Sequence, residues 1–428
     1  MSNFKTRINI RKSLRLSVLD GAAYAAMAGF TQNYITPFAL ALKATTAQIG
    51  LLSSFPNFAT AFSQLAAPAL VERAGSRKAM IVPIVFVHAA MWLLVFLLPY
   101  LFSGSGVWWL IGLLAVVTVC DAIVNPAWSS MMADLVHVDV RGRYFSFRRR
   151  IMTFTTLIVS LAAGLLLQLF THNVFIGFAI IFGGAMLSRF FSVYFVSNMY
   201  EPPVVRRSTN DASLLQMIMH LGSSNFGKFT VFVALIFFAI MLSGPFFSVY
   251  MLRDLKLSYL TFTLINTSST VATLVFLPFW GRRADRAGNL KIIKITGWLI
   301  PVIPLLWLVS GNPVYLMGAN FFSGFVWSGF DLAFGNFVYD ASEPAIRTRQ
   351  IAVFNCVILV AASAGAIAGG YIVPHLPETL GNQFLTMFTV SGVLRAVIIL
   401  LVLRYISEVR HVPNIGVFRL LMGRTSWG

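Results

Sequence analysis

The most regular feature of the sequence is a series of long apolar runs separated by short polar segments. A helix needs about 20 mostly apolar residues to cross a bilayer core of about 30 Å. Twelve runs meet that length, so the pattern predicts an all-α membrane protein with twelve transmembrane helices. The predicted spans are 16–42, 46–71, 79–102, 107–136, 144–171, 174–199, 228–252, 257–281, 290–311, 313–340, 346–374 and 382–406.

One connection is much longer than the others and divides the spans into two sets of six. We expect an N-terminal bundle at 1–200, a cytoplasmic linker at 201–227 and a C-terminal bundle at 228–428. The apolar positions of 214–221 suit a short helix lying in the membrane interface. They suit a partly ordered linker equally well, and the sequence leaves both interpretations open.

The composition excludes the common soluble classes. Of the 428 residues, 58% are apolar and 11% are charged, with a mean hydropathy of +0.80. Soluble globular proteins have roughly 25% charged residues. The net charge is +18. A soluble nucleic-acid-binding protein with such a net charge would contain many more charged residues in total, so no nucleic-acid partner is expected. Two cysteines within apolar runs, Cys120 and Cys356, also exclude a disulfide-stapled secreted domain.

The basic residues indicate the orientation of the chain in the membrane. Twelve spans, an even number, place both termini and every second connecting loop on the same side of the membrane. Of the 32 Lys and Arg residues, 27 fall in these segments. Cytoplasmic loops are the ones enriched in Lys and Arg. The first apolar run is too long for a signal peptide and contains Asp20, so it is interpreted as a permanent span. We therefore expect an integral protein of a prokaryotic plasma membrane, with both termini cytoplasmic.

Charged residues recur in the same order in the two halves. An aspartate near the end of spans 4 and 10 is followed seven and nine residues later by arginines, and another arginine lies within spans 6 and 12. This recurrence predicts duplicated, pseudo-symmetric six-helix bundles. The paired residues are 206 positions apart: Asp134 and Asp340, Arg141 and Arg347, Arg143 and Arg349, Arg189 and Arg395.

The loops between spans 2 and 3 and between spans 8 and 9 carry a recognisable motif. Both 68–78 and 281–289 contain an acid, an arginine, an alanine and a glycine in that order. They resemble motif A of the major facilitator superfamily (MFS), G-x-L-A-D-R-x-G-R-K, which occupies these two loops in that family. The first copy departs from the motif, with Pro68 in place of glycine and Glu72 in place of aspartate. With twelve spans, the resemblance covers essentially the whole chain.

The resemblance implies a cytoplasmic gate that closes the inner side while the transporter is open outward. Glycine suits the tight loop, and the acids can face a helix N-terminus or pair with arginines. The alternative is that the arginines serve only as topology signals. The candidate gate residues are Glu72, Arg73, Gly75, Arg77, Asp134, Arg143, Asp285, Arg286, Gly288, Asp340 and Arg349.

Three acids lie within spans. A charge at mid-bilayer costs at least about 2.5–3.5 kcal/mol, so it usually faces a cavity or a partner. The MFS resemblance implies that spans 1, 4, 7 and 10 line a central cavity, and these acids lie on spans 1, 4 and 10. Asp20 is near the inner end of its span, so a position in the membrane interface fits the sequence equally well. The candidate cavity residues are Asp20, Asn33, Asp121, Asn125, Asn266, Ser328 and Asp331.

The intramembrane acids admit more than one role. Asp121 or Asp331 could carry a proton, or could hold a cationic substrate or Na⁺. Arg189 and Arg395 could instead pair with an acid and keep it ionised, and their recurrence favours a structural role. His88 is best interpreted as a buried structural histidine.

No pattern typical of an enzyme, a cofactor site or a metal site is found. The sequence has no P-loop, no H-E-x-x-H and no Cys/His cluster. The resemblance therefore implies a secondary active transporter of a small solute, working by alternating access with ion or proton coupling. We expect a monomer whose partners are the substrate, H⁺ or Na⁺, and membrane lipids.

The subfamily stays unassigned. Span 4 lacks the arginine and span 5 the G-x-x-x-G-P run of proton-coupled drug exporters, and Glu201-Pro202-Pro203 matches the sugar-porter motif poorly. A multidrug or metabolite exporter, which the 39 phenylalanines would suit, is the alternative within transport. A sensor or lipid scramblase built on the same fold is the alternative outside it.

Overall fold

The computed structural model describes most of the chain and is helical throughout the spans. It describes residues 2–102, 104–202, 224–343, 346–378, 380–410, 412 and 416; within these ranges, the side chains of 2–8, 62, 64–74, 138–139 and 348–349 are not described. No strand occurs in these residues. The short helix considered at 214–221, and most of the predicted linker, lie outside them.

The first six predicted spans correspond to seven helices. Span 1 is divided between α1 and α2 at residues 32–34, and each of the others is one continuous helix. The bounds are α1 Ser2–Thr31, α2 Ile35–Ala41, α3 Thr46–Ala74, α4 Arg77–Leu101, α5 Gly106–Leu135, α6 Val138–Leu169 and α7 Val174–Ser197.

The last six predicted spans are also helical, and two of them are broken at prolines. Proline lacks an N–H and its ring clashes with the preceding turn. Accordingly, Pro245 separates α8 from α9 in span 7, and Pro301 separates α11 from α12 in span 9. The bounds are α8 Asn225–Ser243, α9 Phe246–Val249 with a π-helical turn Tyr250–Asp254, α10 Tyr259–Ala287, α11 Asn289–Leu299, α12 Val302–Leu306, α13 Pro313–Ala341, α14 Arg347–Ile372 and α15 Gln383–Val402.

Most predicted boundaries lie within a few residues of the helix ends, and the largest differences are at three ends that were predicted to be cytoplasmic. The first helix begins at Ser2 instead of 16, α6 begins at Val138 instead of 144, and α10 continues to Ala287 instead of ending at 281. In each case the extension is charged, so hydropathy alone does not reveal it. Within the described residues, nine helical segments are long and apolar enough to cross a membrane. Spans 1, 2 and 10 are helical but fall outside those nine.

The chain forms two compact units. The first is Met1–Asn210 with Ser258–Thr263, and the second is Asp211–Leu257 with Leu264–Gly428. In the first unit, α1 packs on α6 and α7, and α4 packs on α5 and α7. In the second unit, α8 packs on α14 and α15, α11 on α13, and α12 on α15. The same pairing order in both units agrees with the predicted pseudo-symmetric bundles; the exact domain boundaries stay predictions.

Small residues and aromatic side chains provide the packing inside the units. Membrane helices associate through close van der Waals contact, which small residues permit. Gly365 and Gly369 of α14 lie directly against the backbone of Phe238 and Leu242 in α8. The core of the second unit is rich in aromatic residues, including Phe229, Trp280, Phe330 and Phe337, all fully buried. That of the first unit is built mainly from aliphatic residues and methionines of α4 and α5.

Equivalent turns of the two units share an uncommon backbone conformation. Gly75 and Gly288, in the two copies of the motif A loop, have φ angles of 65° and 86°. This left-handed region favours glycine, as the sequence led us to expect for these loops. Lys43 and Lys256 follow the first span of each half and have φ angles of 64° and 50°. These two lysines are 213 positions apart, the same offset as the two motif A loops.

Candidate functional site

The first unit contains a polar cavity within its own helices. Its volume is about 140 Å³, and α1, α4, α5, α6 and α7 all contribute to its wall. Apolar side chains of α4 and α7 form part of the lining. Its polar and aromatic lining residues are Asp20, Tyr24, Asp121, Asn125, Trp128, Ser129, Arg148, Arg189 and Ser192.

Arg189 is held on every side of its guanidinium group. Its Nη2 donates to Asp121 Oδ1 at 3.1 Å, its Nη1 donates to Ser192 Oγ at 3.3 Å, and its Nε donates to His88 Nδ1 at 3.1 Å. Its Cζ lies 4.9 Å from the ring centroid of Tyr24. Because all three nitrogens have partners and the residue is only 3% exposed, Arg189 joins α1, α4, α5 and α7 as a structural element.

The geometry around His88 fixes its tautomer. Its Nδ1 accepts a hydrogen bond from Arg189, so the proton of the neutral ring is on Nε2. That Nε2 lies 3.6 Å from Asp121 Oδ2, beyond hydrogen-bond distance, and is buried without another partner in the described residues. A second proton on Nδ1 would point at the Arg189 N–H group. His88 is therefore neutral in this arrangement, as expected for a buried structural histidine.

Asp121 has several partners. Besides the ion pair with Arg189, its Oδ2 accepts a hydrogen bond from the Tyr24 hydroxyl at 3.3 Å. Its side chain is 23% exposed. This is the pairing that the sequence offered as the alternative to proton carriage, and it stabilises the ionised carboxylate.

Asp20 has fewer and looser contacts. Its Oδ1 accepts a hydrogen bond from Ser192 Oγ at 2.6 Å, and its Oδ2 lies 3.6 Å from Arg148 Nη2. The residue is only 5% exposed. Asp20 is thus a buried part of this site and not an interfacial residue.

Arg148 is the cationic counterpart of Asp20. Its Nε donates to the Ser17 carbonyl at 3.0 Å, and its Cζ lies 4.1 Å from the ring centroid of Trp128. The sequence gave no sign of this role, because Arg148 was counted only among the basic residues that indicate the orientation of the chain. The packing of α6 on α1 brings Arg148 beside Asp20.

The predicted cavity residues fall into two groups. Asp20, Asp121 and Asn125 line this cavity, and Ser129 lines it as well, because positions i, i+4 and i+8 of α5 share a face. Asn33 instead donates to Ser160 Oγ at 3.1 Å, which ties the end of span 1 to α6. The other three residues belong to the second unit and do not line this cavity.

Those three residues have different surroundings. Ser328 is buried and donates to the Phe325 carbonyl of its own helix at 2.8 Å. Asp331 is exposed and has no ion pair or hydrogen bond among the described residues, and Asn266 is half-buried. Their part in a solute path stays a prediction.

The contacts of the predicted gate residues in the first unit centre on Arg77. Its Nη1 donates to Asp134 Oδ2 at 2.7 Å and to Ser130 Oγ at 3.0 Å, which ties α4 to the end of α5. Its backbone N–H donates to Glu201 Oε1 at 2.6 Å, and Ser76 Oγ donates to Glu201 Oε2 at 2.5 Å. A carboxylate thus lies at the N-terminus of α4, where the helix dipole favours negative charge.

The second unit repeats this arrangement with different residues. Asn289 Nδ2 donates to Asp340 Oδ2 at 2.6 Å, and the backbone N–H of Leu290 donates to Glu408 Oε2 at 2.9 Å. Gly288 lies against the Glu408 carboxylate, where a Cβ would collide with it. The sequence analysis missed Glu201 and Glu408, although each follows the sixth span of its half.

The remaining gate residues have no visible ion pair. Asp285 and Arg286 are exposed and unpaired among the described residues, and Arg143 is also exposed. The side chains of Glu72, Arg73 and Arg349 lie outside the described residues. The structure therefore supports contacts within each unit for Arg77, Asp134, Gly288 and Asp340, and leaves the gating role itself a prediction.

Comparison with known families decides the classification. The sequence model of the Major Facilitator Superfamily matches residues 21–241 and 229–419. The chain belongs to the Major Facilitator Superfamily. This MFS chain is an integral membrane protein with the twelve-helix fold of secondary transporters, as the two motif A loops indicated. Membership supports transport of a small molecule over an enzymatic activity.

Solved structures show the same fold at low sequence identity. A point mutant of the nucleoside transporter NupG has a TM-score of 0.75 at 14% identity, covering 92% of this chain and 100% of that chain. A D-xylose-proton symporter has a TM-score of 0.69 at 12% identity, covering 94% and 98%. A POT family transporter in complex with 5-aminolevulinic acid has a TM-score of 0.66 at 12% identity, covering 93% and 96%. No curated protein matches the sequence.

Proposed function

We propose that this MFS protein moves a small solute by alternating access and that the cavity of the first unit forms part of its solute path. The observation that carries the proposal is the group of four charged side chains around that cavity: Asp20 and Arg189, which are buried, and Asp121 and Arg148, which are partly buried. Charges within a membrane are costly and usually mark a substrate or ion pathway. The cavity also presents Asn125, an exposed polar residue, as a hydrogen-bonding group.

We further propose proton coupling through Asp20. The Asp121 carboxylate is held by Arg189 and Tyr24 at hydrogen-bond distance. The counter-ion of Asp20 is 3.6 Å away, beyond that distance, so neutralising Asp20 breaks fewer contacts. Asp331, exposed in the second unit, is the other candidate for carrying H⁺ or binding Na⁺.

The proposal includes the cellular setting of the protein. The excess of basic residues on one side supports two cytoplasmic termini in a prokaryotic plasma membrane. We propose a monomer, because each unit encloses its own buried core.

Uptake into liposomes tests both parts of the proposal. The purified protein is reconstituted, a pH gradient is imposed, and accumulation is measured for labelled solutes, including carboxylates, sugars, nucleosides and amines. We expect one chemical class to accumulate and dissipation of the gradient to stop that accumulation. Asp20→Asn should abolish accumulation and keep exchange of solute across the membrane, because only exchange requires no net proton transfer.

Controls separate a specific effect from misfolding. Glu378→Gln, at an exposed residue outside the spans, should accumulate solute like the wild type. Wild-type accumulation by Asp20→Asn would contradict proton coupling at Asp20 and leave transport standing. Equilibration of fluorescent lipids without uptake of any solute would contradict transport and indicate a scramblase.

A further inference from the structure

The two arginines at the cavity differ in how many of their N–H groups are already bonded. Arg189 has a partner at Nε, Nη1 and Nη2, within 3.3 Å in each case. Arg148 has one hydrogen bond within the described residues, from Nε to the Ser17 carbonyl, and its nearest carboxylate oxygen is 3.6 Å from Nη2. The Nη1 and Nη2 groups of Arg148 are therefore available to a ligand, and those of Arg189 are not.

The surroundings of Arg148 hold its guanidinium group in place. A Cβ added at Gly21 would lie 2.8–2.9 Å from Nη2, Cζ and Nε. These nearly equal distances place the Gly21 backbone against a face of the guanidinium plane. The Trp128 ring also packs on it, with a centroid distance of 4.1 Å. With its faces packed against a backbone and a ring, the group can bind a further ligand only along its N–H edge.

An oxyanion is the chemistry that this edge fits. Two parallel N–H groups in one plane match the two oxygens of a carboxylate or phosphate. Trp128 adds a buried indole N–H, which has no partner within hydrogen-bond distance in the described residues and otherwise interacts with the Asp20 carboxylate. Asn125 and Ser129 line the same cavity and are exposed. At about 140 Å³, the space suits a small group and not a large apolar molecule.

We propose that Arg148 binds the anionic group of the transported substrate, which is a small solute carrying a carboxylate or phosphate. This inference rests on the proposed transport function and deepens it by naming the substrate class. Arg148 is then a substrate-binding residue, whereas Arg189 positions the helices around it.

The charge balance of the site explains how an anion can enter beside two acids. Asp20 and Asp121 balance Arg148 and Arg189, so an added anion leaves one negative charge in excess. The ionisable groups facing Asp20 are Arg148 and Tyr144 of α6, Arg189 of α7, and Tyr24 and Asp121. Arg148 is the cation that would pair with the substrate anion instead of with Asp20. A buried charge without its partner is strongly unfavourable, so a proton entering with the substrate anion would neutralise Asp20.

A ligand panel on the purified protein tests the substrate class. The thermal unfolding temperature is measured with propionate, lactate, benzoate and inorganic phosphate, with the neutral amides propionamide, lactamide and benzamide, and with propylamine. We expect at least one oxyanion to raise the unfolding temperature, because a ligand that binds only the folded state stabilises it. The neutral amides of the same shape and the amine should leave it unchanged.

Variants then connect the response to Arg148. Arg148→Gln should abolish the shift, and Arg148→Lys should weaken the apparent affinity at least tenfold, because lysine lacks the planar pair of donors. Gly21→Ala should also weaken it, since the new Cβ displaces the guanidinium group. Arg149→Gln changes an exposed neighbour on the same helix and should respond like the wild type.

The outcomes are distinct for the two proposals. An oxyanion shift that persists in Arg148→Gln, or the absence of any oxyanion response in the wild type, overturns the role of Arg148. Accumulation of only neutral or cationic solutes in liposomes overturns the substrate class and keeps the transport function. If no solute accumulates at all, the transport function itself fails. If Arg148→Gln does not fold, Arg148→Lys and Gly21→Ala decide the question by their ligand affinities.

Discussion

At the residue scale, the duplicated arginines Arg189 and Arg395 have diverged in their surroundings. Arg395 is 2% exposed, and its Nη2 donates to Ser243 Oγ at 2.9 Å. Its other contacts are backbone carbonyls at 3.4 Å, and its Nε is buried without a partner. No carboxylate pairs with it in the described part of the chain. The position equivalent to Asp121 at an offset of 206 is Trp327, so the second unit lacks the acid.

This difference predicts opposite effects of the same substitution. Arg189→Met should lower the thermal stability markedly, by up to about 3 kcal/mol, because it leaves the partly buried Asp121 without its cation. Arg395→Met should leave stability unchanged or raised, since Ser243 keeps its hydrogen bond with Ser391 at 3.0 Å. Thermal unfolding of both variants in the same detergent measures the contrast. An equal loss of stability in both would contradict the assignment of an ion pair to Arg189 alone.

The sequence predicted some residue roles and not others for a physical reason. Hydropathy and spacing placed Asp20, Asp121 and Arg189 within spans and put Asn125 on the face of Asp121. They could not show that Asp121 pairs with Arg189, since the two are 68 residues apart along the chain. Pairing across that distance depends on which helices pack together, and periodicity carries no information about this.

At the element scale, each unit places a glutamate at the N-terminus of its third span, which begins at α4 in the first unit and at α11 in the second. Glu201 accepts from the backbone N–H of Arg77, and Glu408 accepts from that of Leu290. The first N–H groups of a helix have no partner within the helix, and a carboxylate also interacts favourably with the helix dipole. Each glutamate follows the sixth span of its half. It therefore joins the end of that span to the start of the third span.

Neutralising these glutamates should weaken the two bundles in the same way. We expect Glu201→Gln and Glu408→Gln each to reduce the free energy of unfolding by about 1 kcal/mol, from the loss of charge at a helix N-terminus. Thermal unfolding at neutral pH measures the effect. Glu378→Gln, at an exposed glutamate in a connection, is the matched control and should change little. A similar loss in the control would show that the effect is not specific to the helix termini.

Helix positions were predicted well because they depend on local hydropathy. Most predicted limits lie within a few residues of the observed helix ends. The charged extensions of α1, α6 and α10 were missed, because an apolar run cannot report a helix that continues into water.

At the scale of the whole molecule, the distribution of basic residues predicts which side faces the cytoplasm. Single cysteines introduced at two exposed positions test the orientation, in a chain whose Cys120 and Cys356 have been replaced by alanine. Glu378→Cys should react with a membrane-impermeant maleimide added to intact cells, because it follows span 11. Arg410→Cys should react only after the membrane is opened, because it follows span 12.

The opposite labelling pattern would show that the chain is inverted. Labelling of both cysteines in intact cells would contradict a single crossing of the membrane between residues 378 and 410. The labelling of permeabilised cells serves as the control, since both positions must then react if the protein is folded and present.

The sequence by itself determined the spans, the duplicated halves and the family, because each depends on residue type and spacing along one chain. Membrane thickness fixes the length of a span, and a repeated motif is visible without any contact. Only the tertiary structure decided that Asp121 is paired with Arg189, that Arg148 faces a cavity beside Asp20, and that Glu201 and Glu408 join distant helices. These contacts connect segments that are far apart in sequence, and the packing of whole helices brings them together.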